Sequence, residues 1–194
     1  MTITVIKLGG SLMRSSELGD WLDTIQSLAA MTNIIIVPGG GEFADKVRET
    51  QTSLGFDDRT AHRLALLAMS QYGYLLAGLN QNLHVAEDLE SLTSSLDKSR
   101  PLLWLPTALL KDESEIPASW DYTSDSIALW LATKLTANSL VLVKAKAMKQ
   151  TENSVNECIK KNTLDEGFQK LTDKFQGEIH LINKRHSQQL IDLF

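Results

Sequence analysis

Lys7, Gly9, Gly10 and Ser11 form one cluster whose residue types could do chemistry, and Gly39, Gly40 and Gly41 form a second. A lysine beside a run of glycines suits phosphate. Bare backbone N–H groups approach the oxygens, and the ammonium group adds a full charge. A Cβ in such a turn holds the anion away, which accounts for glycine at these positions. The alternative is a pair of ordinary tight turns, but two clusters in one short chain, one of them led by lysine, favour phosphate. A third group gathers in Trp120-Asp121-Tyr122-Thr123-Ser124-Asp125-Ser126, where hydroxyls and a carboxylate precede a helical pattern. Either Ser124 or Thr123 is a plain N-cap, or Asp125 points toward the glycine turns and orients Lys7 by a charge-assisted hydrogen bond. Lys144, Lys146 and Lys149 follow an apolar run; they are either a solvated face or further cations at the same edge of a sheet.

The elements that must position these residues are legible around them. Ile3-Thr4-Val5-Ile6 precedes the first glycine cluster and Ile34-Ile35-Ile36-Val37 the second; both are short and β-branched, hence strands. Helical spacing follows each cluster: Leu18, Trp21, Leu22, Ile25 and Leu28, capped by Ser15 or Ser16, then Phe43, Val47, Gln51 and Leu54. Each turn is thus expected to face a helix N-terminus. The stretch 60–79 is the most apolar helix and is expected to be buried on most sides, in the core or across a subunit interface. Arg59, His62 and Arg63 crowd its first turn beside Asp57 and Asp58, where basic groups oppose the helix dipole; they either meet an anion or sit in solvent. Strands are expected at 81–86, 101–105, 139–144 and 179–182, with helices near 88–96, 125–137, 164–175 and 187–194. Residues 145–163 read as a mobile loop or a short helix. This alternation predicts one α/β domain over 1–194, a three-layer αβα sandwich with a mainly parallel open sheet.

Composition narrows the partners. A chain of 194 residues with net charge −5 is expected to avoid nucleic acid, so an anionic ligand needs a local cluster of positive groups. No apolar run reaches membrane-spanning length, and the first ten residues alternate and end in glycines, reading as a strand rather than a leader. Cys158 stands alone, which fits the cytoplasm and a packed thiol. Histidines 62, 84, 180 and 186 lack metal-ligand spacing, so no protein-held metal is expected. There is no Walker P-loop. Gly39-Gly40-Gly41-Glu42-Phe43-Ala44 formally matches the dinucleotide fingerprint, but no acidic residue ends the next strand where a ribose needs it.

Lys7-Leu8-Gly9-Gly10-Ser11, Val37-Pro38-Gly39-Gly40-Gly41 and Thr123-Ser124-Asp125-Ser126 followed by Leu140-Val141-Leu142-Val143 together resemble the amino acid kinase superfamily, over almost the whole chain. More narrowly, Phe43-Ala44-Asp45, Asp57-Asp58, Ala61-His62, Ala65-Leu66-Leu67-Ala68-Met69 and Gln71-Tyr72-Gly73 are similar to its methanofuran-biosynthesis branch, which phosphorylates aminomethylfuran-methyl phosphate. The resemblance implies transfer of the γ-phosphoryl group of ATP, with Mg²⁺, to a small acceptor and without a covalent enzyme intermediate. It implies that Lys7 neutralises the transferring group and Asp125 orients that lysine. Gly9, Gly10 and Ser11 would hold ATP phosphates; Gly39, Gly40 and Gly41, with Asp58, His62 and Ser124, would take the acceptor. A homo-oligomer is expected through the apolar helix.

The chain also departs from the superfamily. Lys144-Ala145-Lys146-Ala147-Met148 stands where many members have Thr-Asp-Val-x-Gly, and the later glycine-rich loop with a second catalytic lysine has no counterpart between 150 and 194. The nucleotide half is abbreviated. Either Lys144 or Lys146 supplies the second charge at the phosphates, or the chain is a catalytically degenerate member acting as a metabolite-binding or partner subunit.

Overall fold

A computed structural model describes residues 2–96, 100–110, 115–145, 158 and 163–194. Its organising feature is a six-stranded sheet in the order β3-β4-β2-β1-β5-β6, every pair parallel. The strands are β1 (Ile3–Leu8), β2 (Asn33–Pro38), β3 (His84–Ala86), β4 (Leu102–Trp104), β5 (Ser139–Lys144) and β6 (Glu178–Asn183). β1 and β2 are buried at every position, which explains why they read as unbroken apolar runs rather than alternating ones.

Alternate side chains of the central strands feed two cores. Val5, Ile35 and Val37 pack with α6 (Ser124–Lys134) and α7 (Glu166–Thr172) on one face. Ile6, Leu8, Ile34 and Ile36 pack on the other with α1 (Leu18–Leu28) and Leu190 of the final 3-10 helix (Ser187–Leu193). These are the three expected layers. Helix α3 (Asp58–Leu79) contributes Leu66 and Met69 to one core, and Tyr72 and Leu76 to the other. Its remaining side exposes Leu67 and Tyr74, at 45% and 57%.

Helix α2 (Gly41–Leu54) differs: none of its residues is buried. It lies against α3 rather than on the sheet, and Gly55, at φ +72°, turns the chain between the two. Two short helices, α4 (Leu89–Ser94) and α5 (Thr107–Leu110), complete the described elements. Neither Ser15 nor Ser16 caps α1. Both hydroxyls donate instead to the carboxylate of Glu17, which occupies the N-cap position. Among the described residues no helix is long and apolar enough to cross a membrane.

β1 lies between β2, which the chain reaches next, and β5, which it reaches only after crossing back from β4. The carboxyl ends of β1 and β5 therefore flank the switch point, the place where open parallel sheets hold ligands.

Candidate active site

β1 and β5 are in register with Lys7 opposite Leu142 and Leu8 opposite Val143, so Lys7 and Lys144 leave neighbouring strands at one edge. Both reach the same carboxylate. Lys7 Nζ lies 2.9 Å from Asp125 Oδ1, and Lys144 Nζ donates to Asp125 Oδ2 at 2.6 Å. Asp125 projects from the first turn of α6 and is 4% exposed. Burial pushes its carboxyl up, but the two ammonium groups outweigh burial and leave the pKa below the usual carboxylate value. The Lys144 pKa is likewise lowered from that of an ordinary lysine. Burial and the Lys7 charge lower it, against the raising effect of Asp125 and Asp165.

Beside this cluster lies a cavity of about 230 Å³, bordered by Lys7, Gly9, Gly10, Ser11, Lys144 and Thr163. After Gly9 the chain makes a short 3-10 turn (Gly10–Leu12), closed by Leu12 N donating to Gly9 O and Met13 N to Gly10 O. No α-helix N-terminus stands at this first turn, because α1 begins only at Leu18. The second glycine cluster does open a helix, with Gly41 at φ +53°. The two turns touch. A Cβ on Gly10 would lie 2.2 Å from Gly41 Cα, so glycine there is set by the packing of turn on turn rather than by the anion alone. Gly39 is also structural: its N–H donates to Leu8 O at 2.8 Å, and it does not border either cavity.

A second cavity, of about 450 Å³, meets the first at Gly10 and Ser11. Gly40, Gly41, Asp58, His62 and Ser124 all line it, and the N-terminal ends of α2, α3 and α6 open onto it. The α2 end carries no side-chain cap and leaves its N–H groups for an anion, whereas Asp57 caps α3 and Asp165 accepts from Thr123 N and Ser126 N of α6. Burial lowers the His62 pKa below the ordinary imidazole value, and Arg59 and Arg63 do not line the cavity. Lys146 and Lys149 lie outside the described residues.

The cations on the wall of this cavity are residues that the sequence reading missed: Arg14 and Arg48. Arg14 pairs with Glu42 at 2.6 Å on an exposed edge. Arg48 lies 4.3 Å from the centroid of the Trp120 ring. The indole Nε1 donates to Gln51 Oε1 at 2.7 Å, and Gln51 Nε2 donates to Asp58 Oδ1 at 2.8 Å. α2, α3 and the loop before α6 are thereby tied around one cavity. Gly41, Ala44, Asp45 and Arg48 line it at helical spacing, a small and charged stripe that could be read from the sequence by period alone. Asp165 was missed as well. Its half-buried carboxylate accepts from Thr123 and Ser126 at the start of α6, and burial and the Asp125 charge raise its pKa.

A parallel sheet that delivers a buried lysine to a phosphate-sized cavity, with an acceptor-sized cavity joined to it, is the architecture of a phosphotransferase that moves phosphoryl groups by positioning and charge. The chain belongs to the amino acid kinase family, whose model matches residues 2–147. It is 26% identical over 200 residues, covering 97% of this chain and 91% of the relative, to (5-(aminomethyl)furan-3-yl)methyl phosphate kinase of Methanocaldococcus jannaschii. In fold it is similar to uridylate kinase from Archaeoglobus fulgidus, at TM-score 0.71 and 18% identity over 99% of this chain and 96% of that one. UMP kinase from Ureaplasma parvum gives TM-score 0.71 and 15% identity over 99% and 94%. The chain is therefore a family phosphotransferase using ATP and a small-molecule acceptor, and the narrower resemblance to the furan-phosphate branch is borne out by the relative.

Proposed function

We propose that this protein transfers the γ-phosphoryl group of ATP to a small phosphomonoester carrying a planar ring, with (5-(aminomethyl)furan-3-yl)methyl phosphate as the candidate acceptor. The observation that carries this reading is that Gly10 and Ser11 line both the cavity bordered by Lys7 and Lys144 and the cavity lined by Arg14, Arg48 and the uncapped N-terminus of α2. The first suits the phosphates of ATP and the second an acceptor that is already anionic. Ala44, Ala61, Ala65, Leu66, Met69 and Ile127 give the second cavity an apolar wall for a ring.

In this reading a phosphate oxygen of the acceptor attacks the γ-phosphorus. The bond from that phosphorus to the bridging oxygen of ADP breaks, and the acceptor leaves as a diphosphate. A phosphate monoester with a second pKa of about 6 is already ionised at neutral pH, so its oxygen needs no general base. That matches the site, because Asp125 has both oxygens taken by ammonium groups and a lowered pKa. Its work is to hold Lys7 and Lys144 in place. Lys7 and Lys144 meet the charge that gathers on the transferring and leaving oxygens.

Among the described residues no three His, Cys, Asp or Glu side chains gather as a metal-ligand set. Mg²⁺ held through ATP phosphate oxygens needs no such cage, so the site is compatible with it. When bound with ATP, Mg²⁺ supplies further neutralisation of phosphate charge. The reading places the chain in the cytoplasm as one catalytic domain, assembled as a homo-oligomer through the exposed side of α3 that carries Leu67 and Tyr74.

The test is ADP formation from MgATP with the furan phosphate, with its dephosphorylated alcohol and with UMP. Turnover with the phosphomonoester, but not with the alcohol, is the expected pattern. Turnover with the alcohol alone would show that the anionic half of the cavity is misread.

A further inference from the structure

Asp165 plays no part in the transfer just described, yet its carboxylate joins the start of α6, which carries Asp125, to the start of α7. Oδ2 accepts from Thr123 N at 2.8 Å, Thr123 Oγ1 at 2.7 Å and Ser126 N at 3.2 Å. Oδ1 accepts from Ser126 Oγ and from Phe168 N at 2.9 Å. Thr123 is the N-cap of α6, but its hydroxyl donates instead of capping, so the cap of α6 is lent by a residue far along the chain. Ser124 and Asp125 lie between the two clamped positions. Thr163, two residues before Asp165, borders the cavity assigned to ATP phosphates.

We propose that Asp165 is a positioning residue of the transfer centre: by clamping Thr123 and Ser126 it sets where Asp125 meets Lys7 and Lys144. This rests on the kinase reading above. Lys7 from β1 and Lys144 from β5 pair with Asp125 of α6, and Asp165 at the start of α7 holds Thr123 and Ser126, on either side of Asp125. The Asp125 and Asp165 carboxylates raise the Lys144 pKa, against burial and Lys7, so its titration reports where Asp125 sits. A carboxylate that only capped its own helix has no need of Thr123 and Ser126. One that sets the height of Asp125 does.

Two variants test the clamp. Asp165→Asn removes the charge and leaves part of the clamp; Thr123→Val with Ser126→Ala removes both hydroxyl donors and keeps the charge. Both are expected to lose at least tenfold in kcat, with KM for ATP and acceptor changed less than about threefold. Lysine labelled with ¹³C at Cε reports the placing of Asp125 without turnover, the Lys144 signal being the one missing from Lys144→Met. In the ligand-free protein that signal is expected to titrate at lower pH in both variants than in the wild type. Wild-type kcat or an unmoved titration in the double variant overturns the clamp. If Asp165→Asn does not fold, the double variant decides the proposal alone. A wild-type protein inactive with every acceptor defeats the kinase reading instead, and the titration still judges Asp165.

Discussion

Gly10 and Gly41 meet backbone to backbone: a Cβ on the first would lie 2.2 Å from the Cα of the second. That contact joins two turns, each following a central strand, and Gly10 lines both the cavity of about 230 Å³ and that of about 450 Å³. Gly10→Ala is expected to destabilise the protein by about 1–3 kcal/mol, the usual penalty of an added carbon with no room. It should also weaken ATP and acceptor together, since moving either turn reshapes both cavities. Thermal denaturation checks this; an unchanged melting temperature contradicts the contact.

The buried charges make a second contrast. Asp125→Asn leaves two largely buried ammonium groups without their counterion and is expected to cost about 3–5 kcal/mol. Lys144→Met leaves Lys7 and Asp125 as a neutral pair, so its effect on stability should stay within about 1 kcal/mol. Turnover should nonetheless fall by about 10²–10³-fold, the loss expected when one aimed charge leaves the transition state. Urea denaturation of the two variants reads the difference. Equal losses of stability would mean that Asp125 is not the shared counterion.

The pH dependence follows from the directions of the two shifts. Asp125 has a depressed pKa, so its contribution to stability is complete above the unfolded value of about 3.9 and is lost as pH falls through the folded value. Lys144 is depressed too, so stability rises with pH between its folded value and about 10.4, while activity that needs the ammonium group falls over that window. The alkaline limb of kcat/KM should therefore lie below about 10.4. Lys144→Arg should move it upward, because a guanidinium keeps its proton. A limb that stays in place in this variant assigns it to another group.

Arg48 and Trp120 carry the prediction for acceptor choice. Arg48→Ala removes a cation from the acceptor wall and the charge stacked on the indole, and should raise acceptor KM by about 10–100-fold, as expected for a lost charged hydrogen bond. KM for ATP should not change, since Arg48 does not border the phosphate cavity. Steady-state kinetics with each substrate varied in turn gives both values; a rise in KM for ATP alone reverses the assignment of the cavities.

How far the sequence led can be judged residue by residue. β1, β2 and β5 were readable because strands buried on both faces show as continuous apolar runs. Lys7, Asp125 and Lys144 stood out by type and place, and the parallel pairing of β1 with β5 accounts for their meeting. The cap of α1 was misread because Ser15 and Ser16 spend their hydroxyls on Glu17. Helix α2 was legible from the spacing of Phe43, Val47, Gln51 and Leu54, and Phe43 packs on the core, but the face that lines the cavity, Gly41, Ala44, Asp45 and Arg48, was not singled out. Trp120 with Arg48, and Asp165 with Thr123, are long-range contacts between different elements, and no local spacing encodes them.

The central claim is that the γ-phosphoryl group of ATP lands on an acceptor that already carries a phosphate. Phosphorus NMR of MgATP incubated with (5-(aminomethyl)furan-3-yl)methyl phosphate tests it directly, with Lys7→Ala as control. Loss of the monoester signal, paired with two coupled resonances of a new diphosphate and with ADP, is the expected result, and the control should be slower by about 10²-fold or more. ADP with inorganic phosphate and an untouched monoester would contradict the account.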